Sequence, residues 1–177
     1  MGYIVLSIAV LSLDILTKLV VELNFGKGDT LPLIRDIFHL TYVENQGIAF
    51  GMFSGGRWIF IIVSVLVLGF IAYIYSKTVH RSKFLKIGTA LVYGGAIGNM
   101  LERLAKGYVV DFFDFRLIGF PVFNVADIAI CVGAVMLLIH FLFCEHSGAN
   151  EKMHTGEGTD NAKDNADSSD GDAADKN

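Results

Sequence analysis

Two carboxylates in apolar surroundings are the residues here best suited to chemistry. Asp111 sits in Val109-Val110-Asp111-Phe112-Phe113-Asp114-Phe115, and Asp127 closes Phe123-Asn124-Val125-Ala126-Asp127. Two such acids facing each other cannot both ionise easily, so one keeps its proton and the pair offers an acid and a base together. That arrangement activates a water for amide hydrolysis without a metal. Two separate structural acids would fit the same spacing. Asn124 and Asp127, three apart, share a helix face. Asp127 is expected about five residues into its helix, roughly 7–8 Å from the outer end at 1.5 Å per residue. Asp114 reads as a surface acid and ranks below the other two.

Further polar residues lie inside apolar blocks, where charge needs a reason. Asp14 and Lys18 are one helical turn apart, which suits either a neutralising pair or substrate contact. Asn99 and Arg103 share a face. Arg103 either offers its fork of donors to a ligand or reaches for the headgroups. Gly94 and Gly98 form a small-xxx-small face that admits a close neighbour. Other chemistries lack their signatures. The chain has no Gly-x-Ser-x-Gly elbow, and Ser12 and Lys18 fall on different helix faces. Its five His are scattered without His-Glu-x-x-His spacing, and Cys131 and Cys144 form no Cys-x-x-Cys. No metal or cofactor is expected.

The elements that must position these groups are membrane spans. The chain has 177 residues, 53% of them hydrophobic. The apolar residues are concentrated in four blocks, at about 3–23, 58–75, 84–101 and 122–143, each near the ~20 residues a spanning helix needs. The first block lacks the basic start and cleavage site of a signal peptide, and it carries Asp14 and Lys18. Lys77, Arg81, Lys83 and Lys86 make the loop between the second and third blocks basic and free of acids, which places it in the cytoplasm. Both termini are then cytoplasmic, and residues 24–57 and 102–121 face outside. The mix of β-branched and aromatic residues over 37–53 favours short surface strands. The expected organisation is a membrane domain over 1–144 and an acidic, disordered tail over 145–177. No basic run lies beside exposed aromatics, so a nucleic-acid partner is not expected.

Buried acids and bases also line ion pathways, so a transporter is the rival class. Here the acids gather at one face and the two halves of the chain are dissimilar, which suits hydrolysis better. The motifs go further. Asp14-Ile-Leu-Thr17-Lys18, Asn45-Gln-Gly47-Ile-Ala49-Phe50, Gly94-Gly95-Ala96-Ile97-Gly98-Asn99, Val109-Val110-Asp111-Phe112 and Phe123-Asn124-Val125-Ala126-Asp127 occur in that order. Together they resemble the lipoprotein signal peptidases (signal peptidase II) over about residues 3–143. The resemblance implies an all-α membrane protein of four transmembrane helices, with a small extracytoplasmic β-cradle and a surface helix. It implies an aspartic endopeptidase of the bacterial cytoplasmic (inner) membrane, its active site facing outward. Such enzymes cut prolipoproteins just before a diacylglyceryl-modified Cys. By matching motif, Asp111 and Asp127 are the catalytic dyad. Asp14, Lys18, Asn45, Gly47, Asn99, Arg103 and Asn124 are the surrounding substrate-binding or supporting positions. The implied partners are the lipid-modified prolipoprotein, membrane lipids and globomycin-type inhibitors, with the enzyme acting as a monomer and without a cofactor. The family usually has an aspartate where this chain has Glu102.

Overall fold

A computed structural model describes residues 2–47, 56–79 and 81–144. Four long helices dominate it: α1 (Gly2–Asn24), α2 (Gly56–Lys77), α3 (Lys83–Ala105) and α4 (Val125–Ile139), the last continued by a π-helical turn, His140–Cys144. All four are long and apolar enough to cross a membrane. Their outer faces carry unburied Ile, Leu, Val and Phe, as a lipid-facing surface requires. The acidic tail and residues 48–55 of the outer segment lie outside the described residues, and no surface helix occurs among the described residues between α1 and α2.

α3 is the axis of the bundle, and α1, α2 and α4 all pack on it. Its glycines explain the close approach. A Cβ on Gly94 would lie 2.7 Å from the Ser7 carbonyl oxygen, and one on Gly98 would lie 2.6 Å from Asp14 Oδ2, so this stripe receives α1. A Cβ on Gly95 would meet the Ala126 carbonyl oxygen at 2.5 Å, so the neighbouring stripe receives α4. Side chains this small let helix backbones meet in lipid, where dispersion and polar contacts drive association. α2 is held more lightly. Of its residues only Ile61 is buried, and Tyr93 Oη of α3 donates to the Leu68 carbonyl at 2.7 Å.

A three-stranded antiparallel sheet caps one end of the bundle, in the order β1 (Thr30–Ile34), β2 (Phe38–Asn45), β3 (Val109–Phe115). β2 answers the expectation of strands near 37–53; residues 48–53 lie outside the described ones. β1 and β3 are additions. β3 is covered almost throughout, so its side chains show no solvent alternation. Val110 and Phe112 pack with Tyr42 of β2 and Val21 of α1 into a small core that seats the sheet on α1. Each such fully buried side chain contributes on the order of 1.5–3 kcal/mol. On its other side β3 meets the residues leading into α4: Phe112 and Phe113 N–H donate to the Phe123 carbonyl at 3.1 and 2.8 Å.

The start of α4 differs from the expected one. Val122 and Phe123 are apolar, but Phe123 bridges to β3, and the helix begins at Val125 with Asn124 as its N-cap. Asp127 is therefore the third helical residue and not the fifth. Its N–H is bonded by Asn124 Oδ1 at 3.0 Å, while its carboxylate accepts the Asn124 N–H at 3.2 Å, closing a capping box.

Candidate active site

β3 fixes Asp111 and the first turn of α4 fixes Asp127, and Asn124 joins them. Asn124 Nδ2 donates to Asp111 Oδ1 at 2.6 Å, while the same residue caps Asp127. Asn99 of α3 adds a second donor, its Nδ2 reaching Asp127 Oδ1 at 2.8 Å. Asn45, at the end of β2, donates to Asp111 Oδ2 at 2.7 Å. Its Oδ1 accepts the Gly47 N–H at 2.8 Å, a turn that holds the amide in place. Gly47 has φ +73°, and a Cβ there would strike the Phe60 ring. Only glycine takes this position without strain.

The two acids differ in environment. Asp111 is buried and Asp127 half-buried. Burial pushes the Asp111 carboxyl up to about 6, against the hydrogen bond from Asn45, and the charge of Asp127 pushes it further in the same direction. This shift has a stability consequence. A carboxyl whose folded pKa lies above its unfolded value favours folding fully below the unfolded value, near 3.8, and loses that contribution as pH rises through about 6. Relative to Asp111→Asn, the wild-type chain is expected to lose up to ~3 kcal/mol between pH 4 and pH 8, at 1.36 kcal/mol per pKa unit. Thermal melts of both proteins in one detergent across that range measure it; parallel melting curves at every pH would contradict the buried-acid assignment.

Beneath the acids lies a closed charge cluster. Lys18 Nζ pairs with Asp14 at 2.8 Å and Glu102 at 2.9 Å, and donates to Asn99 Oδ1 at 2.8 Å. Asp14 Oδ1 in turn accepts the Ala126 N–H at 2.9 Å, one of the free donors at the start of α4. Lys18 and Asp14 are buried to 1% and 0% exposure, and they connect to the acids through Asn99, Glu102 and the α4 backbone. The two side chains pair with each other, and Lys18 with Glu102, in the interior of the bundle.

Glu102 is the residue that sequence reasoning undervalued. Besides Lys18 it accepts the Val110 N–H at 3.1 Å and pairs with Lys106 at 3.1 Å, which also bonds Glu22. Its carboxylate thus tethers β3, one residue from Asp111, to α3. The available signal was its four-residue spacing to Lys106. Arg103 behaves differently. Its guanidinium lies 4.8 Å from the Phe60 ring centroid and donates to the Asn99 carbonyl at 3.5 Å. No ion pair ties it to either carboxylate among the described residues. Asp114 is not a free surface acid. It is 9% exposed, accepts from Thr41 at 2.7 Å and pairs with Arg116 at 2.8 Å. Burial alone would raise its carboxyl, but those two partners hold it below the usual carboxylate range.

Comparison with known proteins decides what such a constellation belongs to. The family model described as Signal peptidase (SPase) II matches residues 6–143. The chain belongs to the signal peptidase II family. It is 45% identical over 146 residues to the lipoprotein signal peptidase of Clostridioides difficile strain 630, covering 82% of this chain and 97% of that one. Against the lipoprotein signal peptidase of Halothermothrix orenii the identity is 44% over 140 residues, covering 79% and 94%. Two solved structures of a bacterial membrane enzyme, determined in meso at 2.3 and 1.9 Å resolution, align with TM-scores of 0.72 and 0.74 at 30% identity. They match 80% of this chain and 87% and 93% of their own. As a signal peptidase II, the chain is a multi-pass membrane peptidase, and its four apolar helices are the frame of that enzyme.

One prediction arises from how this signal peptidase II holds α4. Gly95→Ala forces a Cβ against the Ala126 carbonyl and Ile130 Cγ1, so the first turn of α4 must shift, carrying Asp127 with it. A stability loss of ~1–3 kcal/mol is expected from overpacking, with at least a tenfold fall in kcat. A variant that melts lower but turns over at the wild-type rate would separate the helix contact from the site.

Proposed function

We propose that this peptidase removes signal peptides from diacylglyceryl-modified prolipoproteins, cutting before the lipidated Cys with Asp111, Asp127 and one water. The observation that carries this reading is Asn124, fully buried, holding one carboxylate by its side chain and capping the helix that bears the other. Asp127, the more exposed acid, takes a proton from the attacking water. Asp111, protonated, hydrogen-bonds the scissile carbonyl and then protonates the leaving amine of the lipidated Cys. Asn45 and Arg103 are the groups placed to bond the extended peptide, and the three-stranded sheet serves as its cradle. The basic 77–86 loop supports cytoplasmic termini and a site facing outward.

The test is cleavage of a lipidated and an unlipidated precursor by the purified enzyme in EDTA, with and without globomycin. Cleavage of the lipidated form alone, blocked by globomycin, is the expected result. Equal cleavage of both, or loss of activity in EDTA that zinc restores, would overturn the reading.

A further inference from the structure

A second site lies at the other end of the bundle. α1, α2 and α3 splay there around a groove of about 510 Å³, within the usual range for a single ligand site. Its walls are apolar, formed by residues such as Tyr3, Ile8, Ala72 and Tyr93. Lys86 and Thr89 also line it. Lys86 lies thirteen residues before Asn99 on α3, about 20 Å along the helix at 1.5 Å per residue. The groove is therefore separate from the carboxylates.

Its mouth is basic. Lys86 Nζ is held 5.8 Å from the Tyr3 ring centroid, and the Arg81 guanidinium lies 4.6 Å from that of Tyr75. Tyr3 and Tyr75 both belong to the groove, so its rim carries two cations poised over aromatic faces. No Asp or Glu occurs between Lys77 and Lys86. Inside, Thr89 Oγ1 is buried without a hydrogen-bond partner among the described residues, where a helical threonine ordinarily bonds a preceding carbonyl. Cations at the rim, a lone hydroxyl beneath them and an apolar slot below match, in that order, the phosphate, ester and acyl chain of a phospholipid.

We infer that this groove binds one anionic glycerophospholipid of the cytoplasmic leaflet, with its phosphate at Lys86 and Arg81 and an acyl chain between α1 and α2. A basic pocket between transmembrane helices on the cytoplasmic side is a recurrent place for such headgroups. The positive N-terminal region of a signal peptide is the wrong sign for this rim. The lipid also joins α2, the lightly held helix, to α1.

Native mass spectrometry of the full chain in detergent, with phosphatidylglycerol or phosphatidylcholine of the same acyl chains, tests the site. The anionic lipid is expected to bind at least tenfold more tightly. The double variant Arg81→Gln/Lys86→Gln should reduce its affinity to that of phosphatidylcholine. Ala72→Trp, which fills the slot from an exposed position, should remove the tight site and leave precursor cleavage in detergent intact. Equal affinity for the two lipids in the wild type would overturn the inference, as would a preference that survives the double variant or Ala72→Trp. Displacement of the bound phosphatidylglycerol by the precursor would assign the groove to the substrate and overturn it too. The readout is binding, so a failed dyad would leave this result untouched.

Discussion

Asp111→Asn and Asp127→Asn are each expected to lower turnover of a lipidated precursor by at least about a thousand-fold, toward the upper part of the range for removing a general acid or base. The substitution is close to isosteric, which makes it informative. At position 127 an amide oxygen still accepts from Asn99 or from the Asn124 N–H, so α4 keeps much of its cap. At position 111 the buried group stays neutral at every pH, so the fold has no reason to fail. What each variant loses is a carboxyl that can exchange a proton. Asp114→Asn is the contrast. It weakens the pairing with Arg116 and Thr41 at the far end of β3 but removes nothing from the pair, so most activity should remain. Precursor cleavage followed by gel shift, with a melting curve for each protein, reads all three. Full cleavage by either dyad variant would end the two-carboxylate mechanism. Equal loss in Asp114→Asn would show that the acids were ranked wrongly.

The largest stability effect is expected from Lys18→Met. Methionine fills much the same volume and suits an apolar interior, so packing is little changed. The charge is not replaced, so Asp14 is left buried without its cation, and Glu102 loses one of its two and keeps Lys106. Removing one member of a buried ion cluster typically costs 3–5 kcal/mol, a large share of the stability of most domains. The triple variant Asp14→Asn/Lys18→Met/Glu102→Gln should recover a good part of that loss, because no uncompensated charge remains. Detergent unfolding of the two variants distinguishes the causes. If the triple variant is no better than the single one, the defect lies in the lost Asn99 contact and not in stranded charge.

The helices were legible because each is a long apolar block, and lipid leaves the chain no other open-ended way to satisfy its backbone. Asp111 and Asp127 stood out as candidates because carboxylates are so rarely placed among Val, Phe and Ala, and the fold joins them through Asn124. The sheet was half legible. β2 alternates enough to be seen, whereas β3 is covered on both sides and carries two acids, so its pattern suggested chemistry before it suggested a strand. β1 holds Pro32, which only an edge position tolerates, and that weakened its signal. The start of α4 was misplaced because hydropathy counts Val122 and Phe123 as span. The polar pair Asn124 and Asp127, three apart, was the better marker of where the helix begins. Glu102 was visible as a departure from the family pattern, but its contacts were not, because its three partners lie on α1, on β3 and one helical turn ahead, and only the last of these is local in the chain.

Asn124 makes the proposed catalytic pair depend on the integrity of one helical turn. Its amide reaches one acid while its carbonyl and N–H clamp the turn that carries the other. If that turn frays, the spacing of the acids is lost at the same instant as the helix start. On the proposed mechanism a half-assembled molecule would therefore hold no half-competent cutting centre, and the coupling would act as a fuse against stray proteolysis during biogenesis.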